Sequence, residues 1–162
     1  MAEALIALGG NIGDVRTTFE QAIACLCRDE TVRLLARSSD YRTPPWGVTE
    51  QPAFVNAAIA VATSLCPHEL LGRTTDCENR LGLDRARKQH WGPRNIDIDI
   101  LAYDDLVLND QDLILPHPRL LERAFVLVPL AEIAPDRVIA GIKAKDALAR
   151  IDGSGIERLP PR

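Results

Sequence analysis

The segment 95–100 constrains the fold more than any other part of the chain, because isoleucine occupies every second position in it. Side chains of a β-strand point alternately to opposite faces of the sheet, so Ile96, Ile98 and Ile100 are expected to enter a core. Asp97 and Asp99 then share the other face, about 6.5 Å apart at two strand rises. The pattern predicts a half-buried strand that presents two carboxylates.

Hydrophobic periodicity and turn residues predict five further elements before and around this strand. The helices begin at a capping Asp14 and at Pro67, and Gly82 ends the second one. Strand, helix, strand, strand, helix and strand are expected in that order, over residues 4–8, 14–27, 31–42, 53–63, 67–82 and 95–103. The order predicts an α+β, ferredoxin-like βαββαβ sandwich, an antiparallel sheet with helices on one face plus C-terminal additions.

The bulk composition is that of one globular domain over residues 1–162. The formal net charge of −4 gives no overall attraction to nucleic acid or to an anionic membrane. No apolar stretch reaches the length of a membrane span, and no secretory leader is expected. These features predict a cytoplasmic protein, and we expect a monomer that binds neither nucleic acid nor membrane.

The four cysteines are interpreted as reduced thiols that pack as small hydrophobic groups. They form no pair with the two-residue spacing of metal or redox motifs: Cys25, Cys27, Cys66 and Cys77. In a helix, the thiols of Cys25 and Cys27 point to different sides, which disfavours a shared metal.

The acidic pair alone is more typical of a solvated strand face than of a metal site. Its neighbours change that interpretation, because Arg85, Arg87, Lys88 and Arg94 precede it within a segment poor in apolar residues. Fixed cations beside paired carboxylates are what a Mg²⁺-nucleotide site requires. No Walker A sequence is present, so the triphosphate is not expected to be held by a P-loop.

A second feature combines aromatic and amide side chains. If the strand over 53–63 buries Val55, then Phe54 and Asn56 lie together on its other face. An aromatic ring beside an amide can stack on a flat heterocycle while the amide pairs with its edge, and Phe125 can supply the opposite plane. An aromatic surface cluster near Trp46 explains the spacing equally well.

Three further polar features have both structural and functional interpretations. The glycine-rich turn over 9–13 can be an anion-binding nest or simply a strand-to-helix turn. His117 lies between two prolines and is either structural or a hydrogen-bond donor to phosphate. Arg119 and Arg123 lie one helical turn apart, and either can serve a nucleotide.

Five segments together resemble the 6-hydroxymethyl-7,8-dihydropterin pyrophosphokinases of folate biosynthesis. The most specific is Trp91-Gly92-Pro93-Arg94-Asn95-Ile96-Asp97-Ile98-Asp99, and the supporting segments are residues 9–14, 41–47, 52–58 and 115–118. The resemblance extends from about residue 4 to residue 135. It implies transfer of pyrophosphate from Mg-ATP to the hydroxymethyl group of the pterin, with release of AMP.

The resemblance also assigns roles to matching positions. Asp97 and Asp99 would hold two Mg²⁺ ions, and the catalytic set comprises Arg85, Arg87, Arg94, Asp97 and Asp99. Six residues would contact ATP: Glu78, Trp91, Arg94, Ile100, His117 and Arg123. Eight would form the pterin pocket: Gly9, Asn11, Thr43, Pro44, Trp46, Phe54, Asn56 and Phe125.

The chain departs from the family pattern in a few places. Leu83 and Asp84 separate Gly82 from the first loop arginine, where arginine is more usual, and His90 stands where arginine commonly precedes the tryptophan. The resemblance implies a mobile catalytic loop over 82–90 that closes over ATP and excludes water.

Two other functions fit the residues without the resemblance. A metal-dependent phosphodiesterase would use the same Asp97 and Asp99 and would hydrolyse its substrate without an alcohol acceptor. A ferredoxin-like ligand-binding or regulatory module would bind a ligand but release no AMP.

Overall fold

A computed structural model describes residues 1–44, 52–82 and 96–162. Alternating helices and strands make up most of the described chain: β1 (Ala2–Gly10), α1 (Val15–Leu26), β2 (Val32–Arg37), β3 (Tyr41–Thr43), β4 (Phe54–Thr63), α2 (Pro67–Leu81), β5 (Asp97–Tyr103), β6 (Leu108–Asn109), β7 (Ile114–Leu115), a 3₁₀ turn (Leu120–Glu122), α3 (Ala124–Ile133), β8 (Val138–Ile139), β9 (Ile142–Lys143), α4 (Ala144–Ala149) and β10 (Glu157–Arg158). None of the described helices has the length and apolar character needed to cross a membrane.

The main sheet has the strand order β10-β3-β4-β1-β5, and β2 also pairs with β4. All of these pairs are antiparallel. The antiparallel α+β fold predicted from the sequence is therefore confirmed. The strand β5 lies at one edge of the sheet, next to β1, so the acidic strand has one side of its backbone paired and the other side open to α2.

Two separate cores lie on the two faces of the sheet. The first contains Ile6 and Ile59 from the central strands, with Phe19 of α1 and Leu70 of α2. The second contains residues that alternate with these along the strands, such as Leu5, and packs against α3 and α4. The expectation of helices on one face holds for α1 and α2 only. The apolar helix α3 buries its side chains against the opposite face of the sheet.

The helix boundaries follow their capping residues. Asp14 accepts a hydrogen bond from the Thr17 amide and begins α1, as the sequence predicted. Pro67 occupies the first turn of α2, where its missing N–H removes no helical bond, and Glu69 accepts from the Cys66 amide. The Gly82 amide closes the last turn on the Glu78 carbonyl.

Two sequence-based expectations were wrong in detail. The single strand expected over 31–42 is interrupted between β2 and β3, because Asp40 is buried there and accepts from Arg16 and Arg37. The short apolar run 106–108, for which the Asp104-Asp105 turn predicts a hairpin with β5, does not pair with that strand. The chain leaves the sheet at Asp104, which has a positive φ of 46°, and β6 pairs with β7 instead.

Candidate active site

The strand register brings residues from four strands into one row across the sheet. Asp97 faces Gly9, Gly9 faces Asn56, and Asn56 faces Tyr41. Neighbouring strands lie about 4.8 Å apart, so Asp97 and Asn56 are separated by about 10 Å across the sheet. The acidic strand and the amide of β4 therefore belong to one surface.

This surface is the second face of the sheet, opposite α1 and α2. Asp99 faces Ala7, and Ala7 faces Ala58, which lies in the core beneath α3. The burial pattern of β5 confirms the predicted alternation: Ile98 is buried, Asp97 is partly exposed and Asp99 is exposed. The polar residues thus occupy the end of the face that α3 leaves open.

Asp97 and Asp99 offer two carboxylates to a cation on one face of β5. Among residues 1–44, 52–82 and 96–162, no group of three or more His, Cys, Asp or Glu side chains is arranged to hold a metal ion. Two carboxylates on one face fit Mg²⁺, which takes one or two protein carboxylates and completes its shell with water and substrate phosphates. The donor set therefore fits a metal that arrives with a nucleotide.

The helix α2 fixes the acidic strand from its open edge. The amide of Ile98, between the two acids, donates a hydrogen bond of 2.8 Å to Oε2 of Glu78. An amide at a sheet edge otherwise lacks a strand partner, so this carboxylate holds β5 against α2. Ile100 is placed in the first core, which leaves only its main chain for contact with a nucleotide.

A buried polar cluster lies at the other end of the row. Thr43 Oγ1 donates to Oδ1 of Asn56 at 3.4 Å, and both residues are buried. Asn11, also buried, donates from Nδ2 to the Pro52 carbonyl at 3.0 Å and holds the chain that enters β4. The backbone at Gly9 approaches this cluster closely, because a β-carbon there would lie 3.3 Å from Nδ2 of Asn56.

Aromatic and aliphatic side chains surround the polar cluster. Phe54 is partly exposed and pairs with Thr43 in the sheet register. Phe125 lies in the first turn of α3 and packs at the edge of the second core, with the guanidinium carbon of Arg123 5.7 Å from its ring centroid. Pro44 is exposed, and a β-carbon on Gly155 would lie 3.5 Å from it, so the C-terminal segment supports the end of β3.

His117 is held rigidly beside the acidic strand. Its amide donates to the Leu101 carbonyl at 2.8 Å, after a cis peptide bond between Leu115 and Pro116. Burial lowers the pKa of the imidazole, and the negative charge of Asp99 opposes that shift in part. Nδ1 accepts from the Arg119 amide at 3.2 Å, so the neutral ring carries its proton on Nε2 and can donate it.

Two residues with no assigned role tie the site together. Tyr41 donates from its hydroxyl to Glu132 of α3 at 2.5 Å, and the Ser39 amide donates to the same carboxylate at 2.9 Å. The contact holds α3, the helix that also contains Phe125, against β3. The one feature of the sequence that pointed to this contact was Glu132, an acidic residue near the end of the apolar segment that forms α3.

The structure brings most of the predicted site residues to this surface or to its borders. Five of them lie outside the described residues, and their expected roles stay predictions: Trp46, Arg85, Arg87, Trp91 and Arg94. The expected mobile loop over 82–90 also lies outside that part of the chain, apart from Gly82.

The fold and the site define an α+β protein with a carboxylate pair and a buried amide cluster on one sheet face. The family model described as 7,8-dihydro-6-hydroxymethylpterin-pyrophosphokinase (HPPK) matches residues 5–135. The chain belongs to this family. The resemblance inferred from the five sequence segments is thereby confirmed.

Relatives of similar length carry the corresponding name. The chain is 52% identical over 159 residues to 2-amino-4-hydroxy-6-hydroxymethyldihydropteridine pyrophosphokinase of Methylorubrum extorquens, with 98% of this chain and 99% of that protein covered. The enzyme of the same name from Pseudomonas aeruginosa is 40% identical over 156 residues, with coverage of 96% and 95%.

Solved structures share the fold at low sequence identity. A Plasmodium falciparum HPPK-DHPS crystal structure superposes with a TM-score of 0.74 at 13% identity and covers 97% of this chain. The chain spans 48% of that longer protein, and 42% of a second such structure with pteroate (TM-score 0.67, 14% identity, 92% of this chain). These neighbours support the architecture alone.

Proposed function

We propose that this protein transfers pyrophosphate from Mg-ATP to the hydroxymethyl group of 6-hydroxymethyl-7,8-dihydropterin and releases AMP, a step of folate biosynthesis. The observation that carries the proposal is the row in which Asp97, Gly9 and Asn56 face one another across three strands. In this row, the carboxylates that we propose bind the metal and the amide that we propose binds the heterocycle lie about 10 Å apart on one face. Family membership supports the same reaction.

Asp97 and Asp99 would hold the Mg²⁺ that accompanies ATP, and the resemblance implies two such ions. The metal, when bound, neutralises phosphate oxygens and supports the charge that develops during transfer. The protein contributes the direction of the two carboxylates. Glu78 maintains that direction, because it anchors the amide between them.

The ATP phosphates would be held by a neutral donor and by cations. His117 donates from Nε2 without a change of charge, since Nδ1 is already occupied by the Arg119 amide. Arg123 lies beside the ring of Phe125 and can reach from the pterin side toward phosphate. We assign the remaining phosphate contacts and closure over ATP to Arg85, Arg87, Trp91 and Arg94.

The pterin would bind at the buried cluster. Asn56 and Thr43 offer an amide and a hydroxyl to the polar edge of a flat heterocycle. Phe54 and Phe125 supply apolar ring faces, and Gly9 leaves room at the sheet surface. Asn11, Pro44 and Trp46 complete the proposed pocket.

The transfer needs no protein nucleophile. The pterin hydroxyl oxygen forms a bond to the β-phosphorus, and the bond from that phosphorus to the α,β-bridging oxygen breaks. AMP leaves with the bridging oxygen, and the hydroxyl proton passes to solvent. Positioning and charge neutralisation are the expected means of catalysis.

We also propose that the protein is a cytoplasmic monomer with a ferredoxin-like βαββαβ core. The order β5-β1-β4 followed by β2 and β3, all antiparallel, supports this assignment of the fold.

The proposal is tested by incubating the protein with Mg-ATP, with and without the pterin alcohol. Pterin-dependent release of AMP, one per pterin diphosphate formed, is the expected result. Phosphate release without pterin would indicate a phosphodiesterase or hydrolase, and ADP would indicate single phosphoryl transfer. Nucleotide binding without any product would indicate a binding module.

A further inference from the structure

A pair of thiols lies outside the proposed active site. Cys25 of α1 and Cys77 of α2 are 52 positions apart along the chain, and their sulfur atoms are 2.6 Å apart. All four cysteines are free, as the sequence predicted. Two thiols in direct contact across a helix pair differ from isolated hydrophobic cysteines, because an oxidant can join them without rearranging the fold.

The two sulfurs have unequal surroundings. Cys25 is half-buried and accepts hydrogen bonds from the Cys77 thiol and from Nη1 of Arg28 at 3.4 Å, and the same Nη1 also donates to the Cys77 sulfur at 3.9 Å. Cys77 is completely buried. Cys25 is therefore the one of the two residues that a solute can reach first. Burial, followed by the neighbouring Cys25 sulfur, raises the pKa of Cys77 to about 12, so Cys77 keeps its proton.

We propose that Cys25 and Cys77 are a reversible oxidation site, at which a small disulfide such as oxidised glutathione converts the two thiols into a bridge between α1 and α2. The proposal is independent of the pyrophosphokinase function. It rests on the contact between the sulfurs and on the unequal burial of the two residues.

The chemistry balances in two exchanges. Cys25 gives its proton to solvent and attacks one sulfur of oxidised glutathione; a bond forms between these sulfurs, the glutathione disulfide bond breaks, and the other glutathione leaves and takes a proton from solvent. Cys77 then attacks Cys25, forms the internal bond and expels the second glutathione, which takes the Cys77 proton. Two protein thiols are oxidised and one glutathione disulfide is reduced to two thiols. The proximity of Cys77 compensates for its high pKa in the second exchange.

The bridge would reach the acidic strand through one residue. Glu78 follows Cys77 and accepts the Ile98 amide between Asp97 and Asp99. A bond between the two helices restricts the motion of α2 relative to α1, next to the hydrogen bond between Glu78 and Ile98. Hydrogen exchange at Ile98 is therefore expected to slow in the oxidised protein.

The test uses full-length protein with Cys66→Ser, because exposed Cys66 would otherwise react with glutathione itself. After incubation with oxidised glutathione and alkylation, peptide mass spectrometry is expected to show a bond between Cys25 and Cys77 that dithiothreitol removes. Tm is expected to rise by about 5–10 °C, since the bond closes a long loop. A bond involving Cys27, or no internal bond, would overturn the proposal.

Three single variants in that background separate the steps. Cys27→Ser is the matched control and is expected to retain the bridge. Cys77→Ser is expected to leave Cys25 as a stable mixed disulfide with glutathione, whereas Cys25→Ser is expected to leave Cys77 unmodified. Glutathione on Cys77 in the last variant would contradict the assigned order. Unchanged exchange at Ile98 in the bridged protein would contradict the link to the acidic strand.

Discussion

The Glu78 carboxylate lies 2.8 Å from the Ile98 amide and anchors the acidic strand between its two aspartates. Among the strands of residues 1–44, 52–82 and 96–162, β5 is at the edge of the sheet, so this side chain provides a partner where a further strand would provide one. The positions of Asp97 and Asp99 thus depend on Glu78 of α2, which contacts β5 at the edge opposite to β1.

Glu78→Ala is expected to reduce both stability and turnover. The Ile98 amide loses a charged acceptor, for which mutational series give about 1.5–3 kcal/mol. Glu78→Gln is the matched variant, because its amide oxygen can still accept, and it is expected to lose less than half as much. Urea unfolding and AMP release measure the two effects. Equal losses in both variants would show that the charge, and not the hydrogen bond, is required.

Asp97→Asn and Asp99→Asn are each expected to reduce AMP release by at least about 10³-fold while leaving Tm nearly unchanged. Both residues face away from the first core, so neither substitution opens a cavity. Asp105→Asn is the control, since that exposed acid lies in the turn after β5. A large fall in Tm for the Asp97 or Asp99 variant would mean that the acid has a structural role.

The imidazole of His117 is expected to titrate below pH 6.5 in the folded protein, because burial lowers its pKa. The unfolded chain then binds the proton more readily, so the free energy of unfolding falls as pH drops below 6.5 through the folded-state pKa. Nuclear magnetic resonance of the ring protons gives the midpoint. A midpoint at or above 6.5 would contradict the buried, neutral donor.

The Asp99→Asn variant provides a second test of the same site. The negative charge of Asp99 raises the pKa of His117, so its removal is expected to lower the titration midpoint further. Asp105→Asn is expected to leave the midpoint unchanged. No shift in the Asp99 variant would show that the two side chains do not interact in solution.

The sequence predicted features that depend on local periodicity and capping. The alternation at 96–100 placed Asp97 and Asp99 on one face, and Asp14 marked the start of α1. The break between β2 and β3 was missed because it depends on Asp40, whose partner Arg16, 24 positions away, meets it only in the folded chain. The β-propensity of the residues and the period of the hydrophobic pattern contain no information about such a buried ion pair.

The support of the pocket by α3 was missed for the same reason. Tyr41 and Glu132 are 91 positions apart, and no local pattern links them. The oxidation site was also hidden, since helical geometry separates the thiols of Cys25 and Cys27 but does not show that Cys77 of another helix contacts the first of them. Contacts between elements that are distant in the sequence can be identified only in the folded structure.

Gly9→Ala is expected to weaken pterin binding more than it weakens folding. The added β-carbon would lie 3.3 Å from Nδ2 of Asn56, so the amide must move by a few tenths of an ångström from the position that Thr43 supports. Since binding through a buried amide depends on its geometry, KM for the pterin is expected to rise about 10-fold or more, with a smaller change in KM for ATP.

Gly72→Ala is the matched control for this substitution. Gly72 lies within α2, and a β-carbon there meets nothing within 4 Å. Alanine is favoured over glycine inside a helix by about 0.5–1 kcal/mol, so this variant is expected to be more stable and to keep its KM values. If Gly9→Ala raises both KM values equally, the close approach at position 9 acts on the whole sheet face, and the assignment of Asn56 to the pterin is wrong.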